Sequence, residues 1–482
     1  MKTAIVRHAL SFALLASALL ASPSHAETFN VKDFGAKGNG TSLDTIAIQS
    51  AIDAAAKSGG TVTFAPGIYL TGSLFVKNSV TLQIGKDVTL IGSQHLADYP
   101  VKPTRIAGIE MSWPAALINV YQQSHATIEG EGTIDGDGKV FWESYWALRK
   151  KYDSRGVRWA ADYDDQRPRL IQVYKSDHVR LGGGLHLTRS GFWTVHICFS
   201  SNVTVDGITI RNNVGGRGPS TDGVDIDSSR HILVEHADIS VNDDALCLKA
   251  GRDADGLRVH RPTEDVVIRD TIVRDGAAVV TIGSETSGGF RNIEAYNLTG
   301  LTHVGVGILF KSARTRGGWA QNIRIHDITL IDIPVVLRIT MNWNPSYSYA
   351  HIPVGMTSYP SYWKVLATPV PEQQGRASFH DVHIWNLHAT GAKTAFEVSA
   401  FPQKRLDNFT FNHLQIEAQT AGHIADANNW MFSNTTLKTE DGSVVMLSDD
   451  SNIKGIASRL SSSASPTAAS SPKSSPAKEK NP

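Results

Sequence analysis

Hydrophobic and polar residues alternate in short runs from about residue 125 to residue 418, and each run ends in turn residues. One run reads Asn202-Val203-Thr204-Val205-Asp206-Gly207, and similar runs start at His231, Asp265, Asn292, Asn322, Asp381 and Asn408. The starts at 202, 231, 265, 292 and 322 are separated by steps of 29, 34, 27 and 30 residues. Alternation with a period of two predicts β-strands, and a long repeat of this kind predicts stacked coils.

The predicted fold class is therefore all-β, as a right-handed, single-stranded parallel β-helix. A β-sandwich also contains many short strands with regular turns. A β-sandwich, however, is built from hairpins, and two-residue Asn-Gly or Asp-Gly loops are not the main turns between the strands of this sequence. A leucine-rich solenoid fits less well, because Val and Ile dominate the runs and no ladder of Leu is present.

Near the start of the chain, residues Thr45 to Ala55 show the apolar spacing of an amphipathic helix. Ser42 or Asp44 can supply its N-cap, and Gly59-Gly60 ends the helical pattern. A short helix here predicts an N-terminal cap that covers the open apolar end of the first coil.

The two ends of the chain differ in composition from the repeats. Residues 1–26 combine a basic start, an apolar stretch and a cleavage-site-like segment of small residues, which predicts a secretory signal peptide. No later run is long enough for a membrane span. Residues 27–455 form the predicted β-helix domain, and residues 456–482 form a Ser/Pro/Ala-rich tail predicted to be disordered. We expect a secreted or periplasmic protein, and a monomer.

Charge and cysteine content exclude several classes of partner. Lys plus Arg and Asp plus Glu are equal at 46 each, so nothing indicates a nucleic-acid partner. Cys198 and Cys247 are 49 residues apart, which suggests two coils. Two coils span roughly 9 to 10 Å, too far for a disulfide, so two buried thiols are predicted. We expect no cofactor.

Two turns carry acidic clusters: Ser220-Thr221-Asp222-Gly223 and Asn242-Asp243-Asp244. Asp222 and Asp243 lie 21 residues apart, close to one coil, so their carboxyls can meet across a groove. Carboxyls held that close repel, which keeps one protonated while others stay charged. A protonated acid beside a carboxylate base can cleave a glycosidic bond, because the acid protonates the leaving oxygen and the base activates water. Because Asp243 and Asp244 are adjacent, both reach one groove only if the chain bends.

Two other interpretations of the aspartates remain open. Aspartates in β-helix turns often bond nearby backbone groups, and this is the role we expect for Asp206, Asp227, Asp255 and Asp270. Oxygen ligands for calcium are also available, from Asp222, Asp225, Asp227, Asp243 and Asp244. Calcium would indicate a lyase rather than a hydrolase.

The motifs resemble those of glycoside hydrolase family 28, the polygalacturonase-like pectin hydrolases, from about Phe29 to Leu447. The matching segments are Phe29 to Gly38, Gly132 to Gly136, Trp142, Ser190 to His196, and above all the two acidic clusters. The resemblance implies metal-free hydrolysis with inversion. It also implies Asp243 as the general acid, with Asp222 and Asp244 activating water.

Two positions depart from the family pattern. Ala277 stands where the family's Gly-His-Gly segment has its histidine, and Leu309 stands where the Arg-Ile-Lys motif has its arginine. Lys311 keeps the lysine of that motif and can pair with a uronate carboxylate. The departures are similar to bacterial members suspected of acting on rhamnogalacturonan or on galacturonide ends.

Cationic and aromatic residues near the motifs complete the candidate site. Lys249 and Lys311 are predicted to bind substrate, because a polyanionic sugar needs nearby cations. Arg252 and Arg314 are undecided, and Arg316 is expected in a solvated turn. Trp343, Tyr347 and Tyr349 can stack on sugar rings or anchor their loop. His196, His231 and His236 are expected to be structural.

The sequence thus favours hydrolysis of α-linked galacturonide bonds in pectic polysaccharide, either galacturonan or rhamnogalacturonan. A rhamnogalacturonan hydrolase or an exo-galacturonidase of the same family is one alternative. A calcium-dependent pectin lyase and a non-catalytic polysaccharide-binding β-helix are the others. Residues 111–113, 159–169 and 350–374 are candidate walls that would decide between attack within the polymer and attack at its end.

Overall fold

The computed structural model describes residues 27–448 and 452–460. The predicted signal peptide, residues 1–26, and residues 461–482 of the predicted tail lie outside the described residues. The last described strand, Ser458–Leu460, pairs with Val445–Ser448 and lies just past residue 455, the predicted C-terminal limit of the β-helix.

Parallel strands stack coil upon coil in three columns, which confirms the predicted parallel β-helix. The first column contains Thr28–Asn30, Thr61–Thr63, Thr81–Gln83, Thr127–Glu129, Asp177–Gly182, Ser201–Asp206, Arg230–Glu235, Ala427–Asn428, Trp430–Ser433 and Ile453–Lys454. The second column contains Asn39–Leu43, Gly67–Thr71, Val88–Gly92, Thr133–Asp135, His186–Thr188, Thr209–Arg211, Asp238–Ser240 and Thr436–Thr439.

The third column carries the candidate site. Its strands are Leu74–Val76, Ile118–Tyr121, Ile171–Tyr174, Val195–Cys198, Val224–Asp227, Leu246–Lys249, Val335–Thr340, Val445–Ser448 and Ser458–Leu460. Longer strands bend through several columns: Thr263–Ile282, Phe290–Lys311, Trp319–Ile331, Ser378–Ser399 and Leu406–Ala425. Val101–Ile106 and Ile109–Pro114 form a separate antiparallel hairpin.

Alternation decides which side chains enter the core. In the third column Val195, Val224 and Leu246 pair in register and are fully buried inside the coil. The next residue along each strand, such as Asp225 after Val224 or Cys247 after Leu246, therefore points out of the coil. Neighbouring coils bury the inward side chains against each other, so the core runs along the whole stack.

The residue that starts each repeat has a left-handed backbone. Asn202, Asp265, Asn292 and Asn322 have φ values of 53, 55, 56 and 52°. Asn and Asp tolerate this region better than most residues, which explains why they begin the runs. Asn322 Nδ2 also donates to Asn292 Oδ1 at 2.8 Å, so successive turns are linked.

Helices lie at the first coil and beside the third column. The α-helices are Thr45–Ala55, Lys139–Ser154, Ala161–Asp164, Asp253–Val259, Pro345–Ser348, Ser361–Leu366 and Glu372–Gly375, and the 3-10 helices are Val31–Phe34, Leu96–Asp98 and Arg158–Ala160. The N-terminal helix buries Ile48, Ala51 and Ile52 on the first coil, which confirms the predicted cap. Asp44 occupies the N-cap position without a side-chain cap bond; its carboxylate instead accepts backbone N–H groups of Lys37 and Gly38.

A second, smaller apolar cluster packs against the outside of the third column. It joins the three segments named as candidate walls, and its largest members are Trp113, Trp159, Tyr163, Phe192, Trp193 and Trp363. The rings of Trp159 and Trp363 lie 4.7 Å apart. Segments distant in sequence thus form one wall beside the site.

The structure confirms one expectation about single residues and overturns two. Cys198 and Cys247 are buried free thiols, as predicted. Asp227 was expected in a turn, but it ends a strand of the third column, fully buried, and pairs with Arg105 at 2.8 Å. Arg316 was expected in a solvated turn, but it is fully buried, and its guanidinium bonds Asp253 and the backbone carbonyls of Ser284 and Ser348.

Candidate active site

A bend in the chain brings all three predicted aspartates into one pocket at the third column. Asn242 and Asp243 form that bend, directly before the strand Leu246–Lys249. Asp222, Asp243 and Asp244 line the same pocket. A carboxylate oxygen of Asp222 lies within 4.8 Å of one of Asp244. The predicted meeting of carboxyls from neighbouring coils is therefore present.

Asp244 is held as a carboxylate. Lys311 Nζ donates to its Oδ2 at 2.7 Å, and Thr281 Oγ1 donates to its Oδ1 at 3.0 Å. Burial alone would raise the pKa of Asp244, but the ammonium groups of Lys311 and Lys249 outweigh burial and keep that pKa below its usual value. Asp244 therefore carries a negative charge in the pocket.

Asp243 and Asp222 are shifted in the opposite direction. Burial and the adjacent charge of Asp244 raise the pKa of Asp243. Burial raises the pKa of Asp222 well above its usual value, and Asp225 and Asp243 add to the shift. Acidic groups whose pKa values are shifted in opposite directions thus lie in one pocket, an arrangement that can separate an acid from a base.

Lys249 lines the pocket and lies between three acidic groups. Its Nζ is 3.5 Å from Asp222, 3.4 Å from Asp225 and 3.5 Å from Glu285. The face of the Trp193 ring lies 5.0 Å from the same ammonium. Both predicted substrate-binding lysines, Lys249 and Lys311, are therefore at the pocket, and both are paired with carboxylates.

Glu285 is a pocket residue that sequence reasoning missed. It is buried beside Lys249, and Tyr347 donates its hydroxyl to Glu285 Oε1 at 3.1 Å. Burial opposes ionisation, but Lys249 and Arg316 lower the pKa of Glu285 to about 2. Its segment Thr281 to Glu285 carries no acidic pattern that would have identified it.

Arg158 and Asp162 also line the pocket, and the sequence did not indicate either as a site residue. Arg158 Nη1 donates to Asp162 Oδ2 at 2.8 Å. Ser220 Oγ, two residues before Asp222, donates to Asp162 Oδ1 at 3.1 Å. The wall is thereby hydrogen-bonded directly to an acidic turn of the coil.

The two departures from the family motifs have defined places in the structure. Ala277 contributes only its backbone, donating its N–H to the Asp243 carbonyl at 2.8 Å. Leu309 is buried in an apolar cluster with Ala278, Val306 and Val335. Neither position supplies a charged group to the pocket.

The aromatic loop contributes to the pocket with two of its three candidate rings. Trp343 and Tyr347 line the pocket, and the Trp343 ring centroid is 4.7 Å from Lys311 Nζ. Tyr349 anchors the loop, because its hydroxyl donates to Asn342 Oδ1 and accepts the Arg314 N–H at 3.1 Å.

A calcium ion does not fit the acidic cluster. Asp222, Asp244 and Cys247 bring ligand atoms within 4.8 Å of one another. Lys311 and Lys249, however, already place ammonium groups against Asp244 and Asp222, where a cation would have to bind. Asp227 is likewise occupied by Arg105.

Fold and site together define a parallel β-helix with a pocket of paired acidic and basic side chains. The sequence profile of glycosyl hydrolases family 28 matches residues 67–352. This is more than half of the chain, so the protein belongs to glycosyl hydrolases family 28, as its motifs indicated. A second profile, rhamnogalacturonase A/epimerase, pectate lyase-like, matches residues 28–102.

Named relatives carry polygalacturonase descriptions. A probable polygalacturonase of Vitis vinifera is 31% identical over 329 residues, covering 66% of this chain and 64% of the relative. This chain thus spans somewhat less than two thirds of that relative. An exo-poly-alpha-D-galacturonosidase of Dickeya chrysanthemi is 24% identical over 457 residues, covering 85% of this chain and 71% of the relative.

Solved structures share the fold. The exopolygalacturonase of Thermotoga maritima superposes with a TM-score of 0.68 at 24% identity, covering 89% of this chain and 91% of that one. The family 28 exopolygalacturonase of Yersinia enterocolitica gives a TM-score of 0.72 at 21% identity, covering 90% of this chain and 77% of that one.

Within residues 27–448 and 452–460, no helix has the length and apolar character needed to cross a bilayer.

Proposed function

We propose that this protein hydrolyses α-linked galacturonide bonds in pectic polysaccharide. The observation that supports this most is the pocket that brings Asp222, Asp243 and Asp244 together, with the pKa of Asp244 lowered by Lys311 and the pKa of Asp243 raised by burial. Family membership and the polygalacturonase names of the relatives supply the substrate class.

In the proposed reaction, Asp243 gives its proton to the glycosidic oxygen as the bond to the anomeric carbon breaks. A water molecule attacks that carbon from the opposite side and passes its proton to Asp244, with Asp222 orienting the water from the neighbouring coil. Direct attack by water inverts the configuration, so the first product has the β configuration. This chemistry needs neither a metal nor another cofactor.

The choice between an endo-acting enzyme and an exo-galacturonidase belongs to the same proposal. Attack at the chain end is supported by the exo-acting Dickeya relative, whose alignment covers 85% of this chain. Of the three candidate wall segments, 159–169 lines the pocket through Asp162, and the other two pack with it in the outer apolar cluster. Rhamnogalacturonan remains a candidate substrate, because the second profile matches residues 28–102.

Asp243→Asn tests the acid. We expect the rate of reducing-sugar release from polygalacturonate to fall at least about 100-fold, since a general acid contributes roughly that factor or more, while the affinity for the polymer is retained. Asp87→Asn, an exposed aspartate remote from the pocket, serves as the matched control and should keep full activity. Release that persists in the Asp243→Asn variant would reject the assignment.

Product analysis separates the competing functions. Wild-type digests of polygalacturonate and rhamnogalacturonan, sized over time, identify the substrate and the mode of attack. Ultraviolet-absorbing unsaturated products that vanish with a chelator would indicate the calcium-dependent lyase. Binding to pectin without any product would indicate a non-catalytic binding protein.

We also propose export to the periplasm or the medium, where pectic polymers are met, and a monomeric state. Cleavage after Ala26 would leave residue 27 at the mature N-terminus. Mass spectrometry of the protein secreted by its host tests that boundary, and light scattering tests the monomer.

A further inference from the structure

A galacturonide presents a carboxylate on every sugar, so the pocket needs a cation that is available to it. This inference rests on the proposed function. Among the described residues, the cationic side chains that line the pocket are Arg158, Lys249 and Lys311. Arg252 and Arg316 are fully buried behind it and are not part of the lining.

The two lysines are already engaged by the protein. Lys311 donates to Asp244 at 2.7 Å and lies against the Trp343 ring. Lys249 is shared by three acidic side chains at 3.4 to 3.5 Å and lies against the Trp193 ring. A uronate that took either ammonium would compete with a carboxylate of the acid–base machinery.

Arg158 is engaged less completely. One amino group bonds Asp162, whereas its Nε is buried and has no hydrogen-bond partner. The whole residue is 8% exposed and lines the pocket. A buried guanidinium nitrogen without a partner costs free energy until an acceptor arrives.

The surroundings fix the guanidinium in place. Asp162 also accepts Arg167 Nη2 at 3.1 Å and Ser220 Oγ at 3.1 Å, so its position does not depend on Arg158 alone. The ring of Tyr347 lies 5.3 Å from the Arg158 guanidinium carbon. A guanidinium fixed in this way presents planar, paired N–H donors, which match the two oxygens of a carboxylate better than a mobile ammonium does.

We propose that Arg158 binds the substrate carboxylate and selects charged over neutral sugars. It supplies from the wall the guanidinium that is missing at Leu309, where the third column is apolar. Specificity for the uronate would then depend on the segment after the helix Lys139–Ser154, and not on the β-helix itself.

The test measures binding in the inactive Asp243→Asn background, which separates it from turnover. Calorimetry gives the Kd of trigalacturonate and of its methyl ester for this protein with and without Arg158→Gln. We expect Arg158→Gln to weaken trigalacturonate about 10- to 100-fold, as for the loss of a charged hydrogen bond, and to change the ester less than about threefold.

Two further variants make the outcome decisive. Arg155→Gln, an exposed arginine three residues away, should leave both Kd values unchanged. Arg158→Lys keeps the charge without the fork and should recover part of the preference. Equal weakening of both ligands, or no preference for the charged ligand in the parent, overturns the role of Arg158. Absence of hydrolysis by the wild-type protein would instead overturn the proposed function.

Discussion

At the residue scale, the ionisation of the aspartates is set by their neighbours and not by their position in the motif. Asp243 and Asp244 are adjacent in sequence, yet their pKa values shift in opposite directions. Asp244 accepts hydrogen bonds from Lys311, which lies 67 residues later, and from Thr281, and these contacts add to the charges that lower its pKa. At Asp243, burial and the charge of Asp244 outweigh the same lysines.

Lys311→Met should move the acidic limb of the pH dependence of kcat/KM to higher pH. Lys311 lowers the folded-state pKa of Asp244, so its removal raises that pKa and the base becomes protonated at a higher pH. The effect of an opposite charge at this distance predicts a displacement of about 1 to 3 pH units. Initial rates on polygalacturonate between pH 3 and pH 8, at roughly unit intervals, measure it.

Lys311→Arg is the matched control, because it keeps the charge. Comparing the variants with the wild-type protein on one substrate cancels the titration of the substrate itself. If the acidic limb of Lys311→Met coincides with that of the wild-type protein, Asp244 is not the group whose ionisation limits activity.

At the element scale, each strand divides its residues between the core and the surface by alternation alone. In Trp319–Ile331, Ile323 is fully buried and pairs in register with Ile293 and Val382, while its neighbour Arg324 is exposed. Adjacent positions of one strand thus differ greatly in what they contribute to stability.

Ile323→Ala should lower the free energy of unfolding by about 2 to 5 kcal/mol, because it removes buried methyl groups and leaves a cavity. Arg324→Ala should change that free energy by less than about 0.5 kcal/mol. Urea unfolding followed by circular dichroism measures both. Similar losses in the two variants would contradict the assignment of the inward and outward faces.

At the scale of the whole molecule, the pocket has two parts with separate cores. The β-helix core supplies the aspartates and lysines, and the outer cluster around Trp159 and Trp363 supplies the wall with Arg158. Trp363 is buried in the outer cluster and donates its indole N–H to Asp164 at 2.9 Å. The wall can therefore loosen while the coil remains folded.

Trp363→Ala should make the segment 345–376 sensitive to proteases and raise KM several-fold. The main urea transition should change little, since the β-helix core does not contain this residue. Val354→Ala, a fully exposed apolar residue of the same segment, should have neither effect. Limited proteolysis with mass spectrometry locates the cuts, and a large fall of the main unfolding midpoint would show that the two cores unfold together.

Sequence alone determined the coil, its strands and the residues that begin them. Alternation is a local property, and the left-handed turns need Asn or Asp at fixed places, so both can be read along the chain. The spacing of Asp222 and Asp243 also followed from the repeat, because one coil returns the chain to the same face.

Only the tertiary structure decided the rest of the pocket. Glu285, Arg158 and Asp162 come from a later coil and from a wall outside the repeat, and no local pattern links them to Asp222. Burial of Asp227 and Arg316 was missed for the same reason, since their partners Arg105 and Asp253 lie 122 and 63 residues away. Side-chain contacts between distant segments depend on how loops pack on the coil. The periodicity of the sequence reports only local strand structure and therefore does not predict that packing.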